Sequence, residues 1–166
     1  MTLKTTELKN RLRNAQKIAI LAIGSELRGD DAAGMLVAKH LDKACCNIKK
    51  EAKFKVFFGD TAPENLTGEI KRFKPTHLVI IDSADFNDKP GAVKLIDADK
   101  IDGFSSCTHS LPIKILRAYL INCIGCEIII IGIQPCSISF GSGISKEVKD
   151  SAERVSSQIK EAIGNS

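Results

Sequence analysis

Residues 17–34, KIAILAIGSELRGDDAAG, join an apolar run to a helical repeat through a loop that carries two adjacent carboxylates. The run from Ile18 to Ile23 breaks at Gly24, passes Gly29 and reaches Asp30 and Asp31. Ala33, Val37, Leu41 and Ala44 then recur on one helical stripe, with Leu36 and His40 beside it. A buried strand, a tight turn and a helix start, in that order, open an α/β fold. In such open sheets the carboxyl ends of the strands are where ligands bind. One of the two aspartates can cap the helix by accepting bonds from first-turn amides. The other is spare, and a spare acid at a strand end points to a ligand or a catalyst.

The whole chain limits the partners. Its 166 residues are read as one domain, 1–166, large enough to bury a real core. The net charge of +4 is mild, Lys and Arg are dispersed, and one Tyr with no Trp gives no stacking platform, so nucleic acid is not an expected partner. The longest apolar run, Ile128 to Ile133, is too short to span a bilayer. The first sixteen residues are polar and read as a short surface helix with Leu8, Leu12 and Ala15 on one face, without the apolar core of a signal peptide. No membrane partner is expected, and the cytoplasm is the expected location. In that compartment Cys45, Cys46, Cys107, Cys123, Cys126 and Cys136 should be reduced thiols. Cys123 and Cys126 have metal-site spacing, but no second pair completes a tetrahedral set, so they read as incidental to a helix-to-strand turn.

There are no repeats and no linker. FKVFF at 54–58 reads as a strand. The capping-box pattern Thr61-Ala62-Pro63-Glu64 then opens a helix to about Phe73, which Pro75 ends. His77 to Asp82 is a third strand, and Ala92 to Ile96 a short edge strand free to run antiparallel. Residues 97–110 look irregular. Ser110 and Pro112 start a helix whose buried stripe is Ile113, Leu116, Tyr119 and Leu120. Glu127 to Ile133, the most apolar strand, should be central and covered on both faces. A last helix from about Ile144 carries Ile144, Val148, Ala152, Val155, Ile159 and Ile163 on one stripe. The alternation predicts a three-layer α/β/α sandwich, with a mostly parallel twisted sheet of about five strands and helices on both faces.

Parallel strands align their carboxyl ends, so three elements should meet there: Asp30-Asp31, Asp82-Ser83-Ala84-Asp85, and His109 within Cys107-Thr108-His109-Ser110. Two carboxylates and an imidazole suit a divalent transition metal with open positions. Each residue alone has a bland role: Asp82 a turn cap, Asp85 a solvated acid, His109 a backbone bond. Three arriving at one edge favour function. His40 and His77 are weaker candidates, one beside an apolar stripe and one at the opposite edge. Ser83 and Ser110 lie in no GxSxG elbow, and the GxxxxGK and HExxH patterns are absent. Which acid of the Asp30-Asp31 pair is the ligand and which the cap, the residues alone leave open.

The ordered set GSELRGDDAAG, TAPEN at 61–65, KPTHLVIIDSAD at 74–85, PGAVKLID at 90–97, CTHSLP at 107–112 and GIQP at 132–135 resembles the nickel–iron hydrogenase maturation endopeptidases. The type it resembles most processes hydrogenase-3-like or methanogen hydrogenase large subunits. Ser25 stands where that family usually has Asn, and Ala33 where it often has Gly. The resemblance implies a peptidase that removes a C-terminal peptide from the hydrogenase large-subunit precursor after nickel insertion. It also implies that Asp31, Asp82 and His109 contact the metal and carry the hydrolysis, which is aspartic or metal-assisted. Asp30 is then the structural acid, through a helix cap or loop hydrogen bonds, and its replacement by Asn, which keeps a good cap, is expected to be mild. Nickel then belongs to the precursor, not to the enzyme as a tight cofactor, and the enzyme is expected to be a monomer. The competing reading is a phospho-receiver-like signalling module using Asp30, Asp31 and Asp82 with magnesium. A receiver needs a lysine at the end of its last strand, where Gln134-Pro135 stands here.

Overall fold

The computed structural model describes residues 3–44, 53–96 and 113–164. Strand and helix alternate as α1 (Thr5–Arg11), β1 (Lys17–Ile23), α2 (Ala33–Ala44), β2 (Lys53–Asp60), α3 (Thr67–Phe73), β3 (His77–Ser83), β4 (Val93–Ile96), α4 (Ile113–Ile124), β5 (Glu127–Ile133) and α5 (Lys146–Gly164). The five strands form one sheet in the order β2-β1-β3-β5-β4. The pairs β1–β2, β1–β3 and β3–β5 are parallel, and the edge strand β4 is antiparallel to β5. The middle place belongs to β3, which is buried along its whole length, while β5 lies one place off it. The apolar content of β5 reported cover on both faces, not rank in the sheet.

Side chains alternate across each strand, and the two faces collect different helices. Ile18, Ile20, Val79, Ile81, Ile129 and Ile131 pack with Leu8 of α1, Leu41 of α2 and Val155 and Ile159 of α5. Ala19, Leu21, Leu78, Ile80 and Ile130 face Ile70 of α3 and Leu116 and Leu120 of α4. These are the three layers of the expected sandwich. The N-terminal segment is bound more closely than a surface helix would be. Leu8 and Leu12 are fully buried, and Leu3 donates its N–H to the Val93 carbonyl of β4 at 3.0 Å. No helix among the described residues is long and apolar enough to cross a membrane.

Three local expectations need revision. Thr61 makes no capping bond: Pro63 opens a 3-10 turn, Pro63–Leu66, with Ala62 at its cap, and the α-helix begins only at Thr67. Thr67 stabilises that junction, its hydroxyl donating to the Glu64 carbonyl at 2.8 Å. Tyr119 is 44% exposed and lies outside the buried stripe of α4. Its ring sits under the Lys71 ammonium, 5.6 Å from the centroid. Finally, α5 starts at Lys146, with Ile144 only partly buried against the core.

Cys123 is exposed in the last turn of α4 and Cys126 is buried just before β5, both as free thiols. Burial pushes the Cys126 thiol up. His77 begins β3 at the amino edge, its Nδ1 3.0 Å from Thr76 Oγ1, and burial lowers its pKa. Cys45, Cys46, Cys107, His109 and Ser110 lie outside the described residues.

Candidate functional site

The carboxyl edge of the sheet is built by close backbone approach. Gly24 ends β1 at φ +126°, where a Cβ would overlap the Asp31 carbonyl. The chain turns through Ser25 to Arg28 and closes a 3-10 turn, Gly29–Ala32, that runs directly into α2. Gly34 lets α2 rest on the sheet itself, because a Cβ there would overlap the carbonyls of Ile23 and Ile81. Those carbonyls lie at the ends of β1 and β3, so α2 holds its preceding turn over both strands. Asp30 and Asp31 are each only 1% exposed as a result.

The two neighbouring acids have different partners. Asp31 reaches back into the sheet edge, where Oδ2 accepts the Ser25 N–H at 2.8 Å and Oδ1 accepts the Ser83 hydroxyl at 3.0 Å. Ser83 is the last residue of β3, so Asp31 is brought within one residue step of Asp82, itself 1% exposed. Register places Asp82 on the face shared with Leu78 and Ile80, and Ser83 on the face of Val79 and Ile81. The expected meeting of the β1 loop with the end of β3 is therefore present. Among the described residues no group of three or more His, Cys, Asp or Glu is placed to hold a metal ion. The third residue of the expected set, His109, is outside them.

Asp30 turns the other way and fastens a second loop. Its Oδ2 accepts the N–H of Cys136 at 2.7 Å, the N–H of Ser137 at 3.3 Å and the Ser145 hydroxyl at 2.9 Å. Its Oδ1 accepts the Ser145 N–H at 2.6 Å. Ser145 in turn caps α5, its Oγ accepting the Val148 N–H at 3.3 Å. Asp30 is thus structural through loop bonds, as expected, but it makes no side-chain cap to its own helix. That difference overturns the mildness expected of Asp30→Asn. An amide can offer only one oxygen, so its NH2 must face backbone N–H donors that cannot reverse. Hydrogen bonds to a charged group are worth about 1.5–3 kcal/mol, of which part survives in Asn. Asp30→Asn should lose about 1.5 kcal/mol, lowering the melting temperature by about 3–6 °C. A thermal melt unchanged from the parent would remove Asp30 from this role.

Sequence reasoning gave Gln134 no role except as a missing lysine. It is 6% exposed at the end of β5 and organises the loop after β3. Its Oε1 accepts the Phe86 N–H at 2.6 Å and the Asp88 N–H at 3.3 Å, and its Nε2 donates to Asp85 Oδ1 at 3.1 Å. The Asn87 N–H and this Gln134 amide hold the exposed Asp85 carboxyl below the usual range. A neutral amide bonded to a neighbouring loop leaves the receiver reading without its lysine and without support.

Comparison with known proteins agrees with this architecture. The family model described as hydrogenase maturation protease matches residues 35–162. A putative hydrogenase maturation protease of Methanocaldococcus jannaschii is 41% identical over 162 residues, 94% of each chain. The hydrogenase 3 maturation protease of Escherichia coli K12 is 34% identical over 147 residues, covering 88% of this chain and 90% of that protein. The crystal structure of a nickel–iron hydrogenase maturation protease from Thermococcus kodakarensis superposes with a TM-score of 0.85 at 32% identity, covering 96% of this chain and 99% of the other. A buried acid pair at the carboxyl edge of an α/β sandwich, and relatives matching nearly end to end, lead to one assignment: this chain belongs to the hydrogenase maturation protease family.

Proposed function

We propose that this peptidase removes a C-terminal peptide from the large-subunit precursor of a nickel–iron hydrogenase once nickel has been inserted, working in the cytoplasm. The observation that carries this reading is the seating of Asp31. A buried carboxylate is held by Ser25 and Ser83 at the carboxyl edge, one residue from buried Asp82, in a chain of this protease family. His109, in the TH motif, completes the set of three residues assigned to contact the precursor's metal. Carboxylate and imidazole are suitable donors for nickel. Nickel is part of the substrate in this scheme, and the three side chains add to a coordination sphere that the precursor brings incomplete.

The chemistry required is hydrolysis of one peptide bond. Water oxygen adds to the scissile carbonyl carbon, the carbon–nitrogen bond breaks, and one water proton ends on the leaving amine. A carboxylate at the site can take that proton and return it, the work of a general base followed by a general acid. No GxSxG elbow is present, and in this scheme Ser83 Oγ, which donates to Asp31, holds that carboxylate in place.

The test is to incubate the purified protein with nickel-loaded and nickel-free precursor separately and to follow peptide release by mass spectrometry. Release from the loaded form alone is the expected result. Equal cleavage of the nickel-free form would show that recognition does not pass through the metal. Cleavage of neither would overturn the reading.

A further inference from the structure

Two large apolar side chains stand in solvent beside the proposed site although the loops carrying them are firmly held. Leu27 is 65% exposed and Phe140 is 75% exposed. Leu27 lies in the loop that wraps Asp31: Asp31 Oδ2 accepts the Ser25 N–H, and Ser25 Oγ accepts the Leu27 N–H at 3.3 Å. The Leu27 carbonyl then accepts the Gly141 N–H at 2.8 Å, which joins the loop of Phe140 to the loop of Asp31. Asp30 holds the same second loop at Cys136, Ser137 and Ser145. Gly29, at φ +54°, packs so closely on this loop that a Cβ would overlap Ser142 Oγ. Rigid loops that display apolar groups at a site edge are ready to receive a partner at little ordering cost.

A recess lies between these loops and α2. Glu26, Ala32, Met35, Leu36, Lys39 and Ile144 line about 80 Å³, and Ala32 directly follows Asp31. The floor is apolar, and a Glu26–Lys39 ion pair at 2.7 Å forms part of the rim. Such a recess suits one apolar side chain of an extended polypeptide. Its place beside Asp31 makes the precursor the occupant.

We infer that Leu27 and Phe140, together with the recess between their loops and α2, form a subsite that seats an apolar side chain of the hydrogenase large-subunit precursor near the bond to be cut. The inference rests on the proposed function and adds a specificity determinant to it. Leu27 and Phe140 are both exposed, so truncating them should leave the fold intact.

The experiment compares the parent protein with Leu27→Ala, Phe140→Ala and the control Ile115→Ala, which removes a 54% exposed apolar side chain from α4. Cleavage kinetics use the nickel-loaded precursor. Binding of the same precursor is measured in a second series carrying Asp31→Asn. Leu27→Ala and Phe140→Ala should each raise KM and weaken binding by about tenfold, with kcat within about twofold and Ile115→Ala unchanged. Parent-like KM and binding in both variants would overturn the subsite while leaving the protease reading in place. A fall in kcat alone would overturn it too. Failure of the parent protein to cleave would remove both the subsite and the function on which it rests.

Discussion

Asp31→Asn will leave a folded protein that no longer releases the precursor's C-terminal peptide. The two Asp31 bonds described above can both be kept by an amide. Asn Oδ1 accepts the Ser25 N–H, and Nδ2 donates to Ser83 Oγ, because a serine hydroxyl accepts as readily as it donates. Losing the charge from these two bonds costs about 1 kcal/mol or less. The anionic oxygen itself cannot be replaced, and with it go the metal donor and the proton acceptor that the proposed function assigns to Asp31. General-base work alone is worth about 10²–10⁴-fold, so processing should fall by at least about a hundredfold. Side-by-side melts and cleavage assays of Asp31→Asn and Asp30→Asn separate the two acids. Asp30→Asn should lose stability first, and Asp31→Asn activity first. Equal loss of activity in both, with parent-like melting, would refute the division of roles.

That division shows where sequence reading stops. The strands and helices were legible because apolar runs and 3.6-residue stripes report burial directly, as in Ile18–Ile23 and in Val148, Ala152, Val155 and Ile159. The site edge was legible because parallel strands must align their carboxyl ends, which put the β1 loop of Asp31 beside the end of β3 without knowledge of any contact. The partners of Asp30 were not legible, since its donors lie 106 to 115 residues further along the chain. No local pattern encodes such a bond. Gln134 and Ser83 escaped notice for a related reason: Ser83 was weighed only as a nucleophile and Gln134 only as a missing lysine, while the role of each is to hold a neighbour. At Thr61 the capping signature failed because Pro63 fixed a tighter first turn than the motif assumes. Tyr119 failed because its place on α4 is at the margin of the stripe that Ile113, Leu116 and Leu120 define.

Gly34→Ala sets two effects of opposite sign against each other. Alanine gains about 1 kcal/mol over glycine inside a helix, and by that measure the change should stabilise α2. Against it stands the Cβ overlap with the carbonyls of Ile23 and Ile81. Both are main-chain atoms of inner strands, which cannot rotate aside as a side chain would, so α2 must lift from the sheet. Overpacking costs about 1–3 kcal/mol and occasionally more, and two backbone overlaps put this case near about 4 kcal/mol. The net loss is then about 3 kcal/mol, a fall in melting temperature of about 6–12 °C. Gly68→Ala is the matched control, because Gly68 lies in α3 with nothing within 4 Å of its added Cβ; it should melt at or slightly above the parent temperature. Lifting α2 also draws Asp31 away from Ser83, so Gly34→Ala should process precursor more slowly even at temperatures where it is fully folded. If it melts and cleaves like the parent, α2 does not bear on those carbonyls, and the seat proposed for Asp31 is wrong.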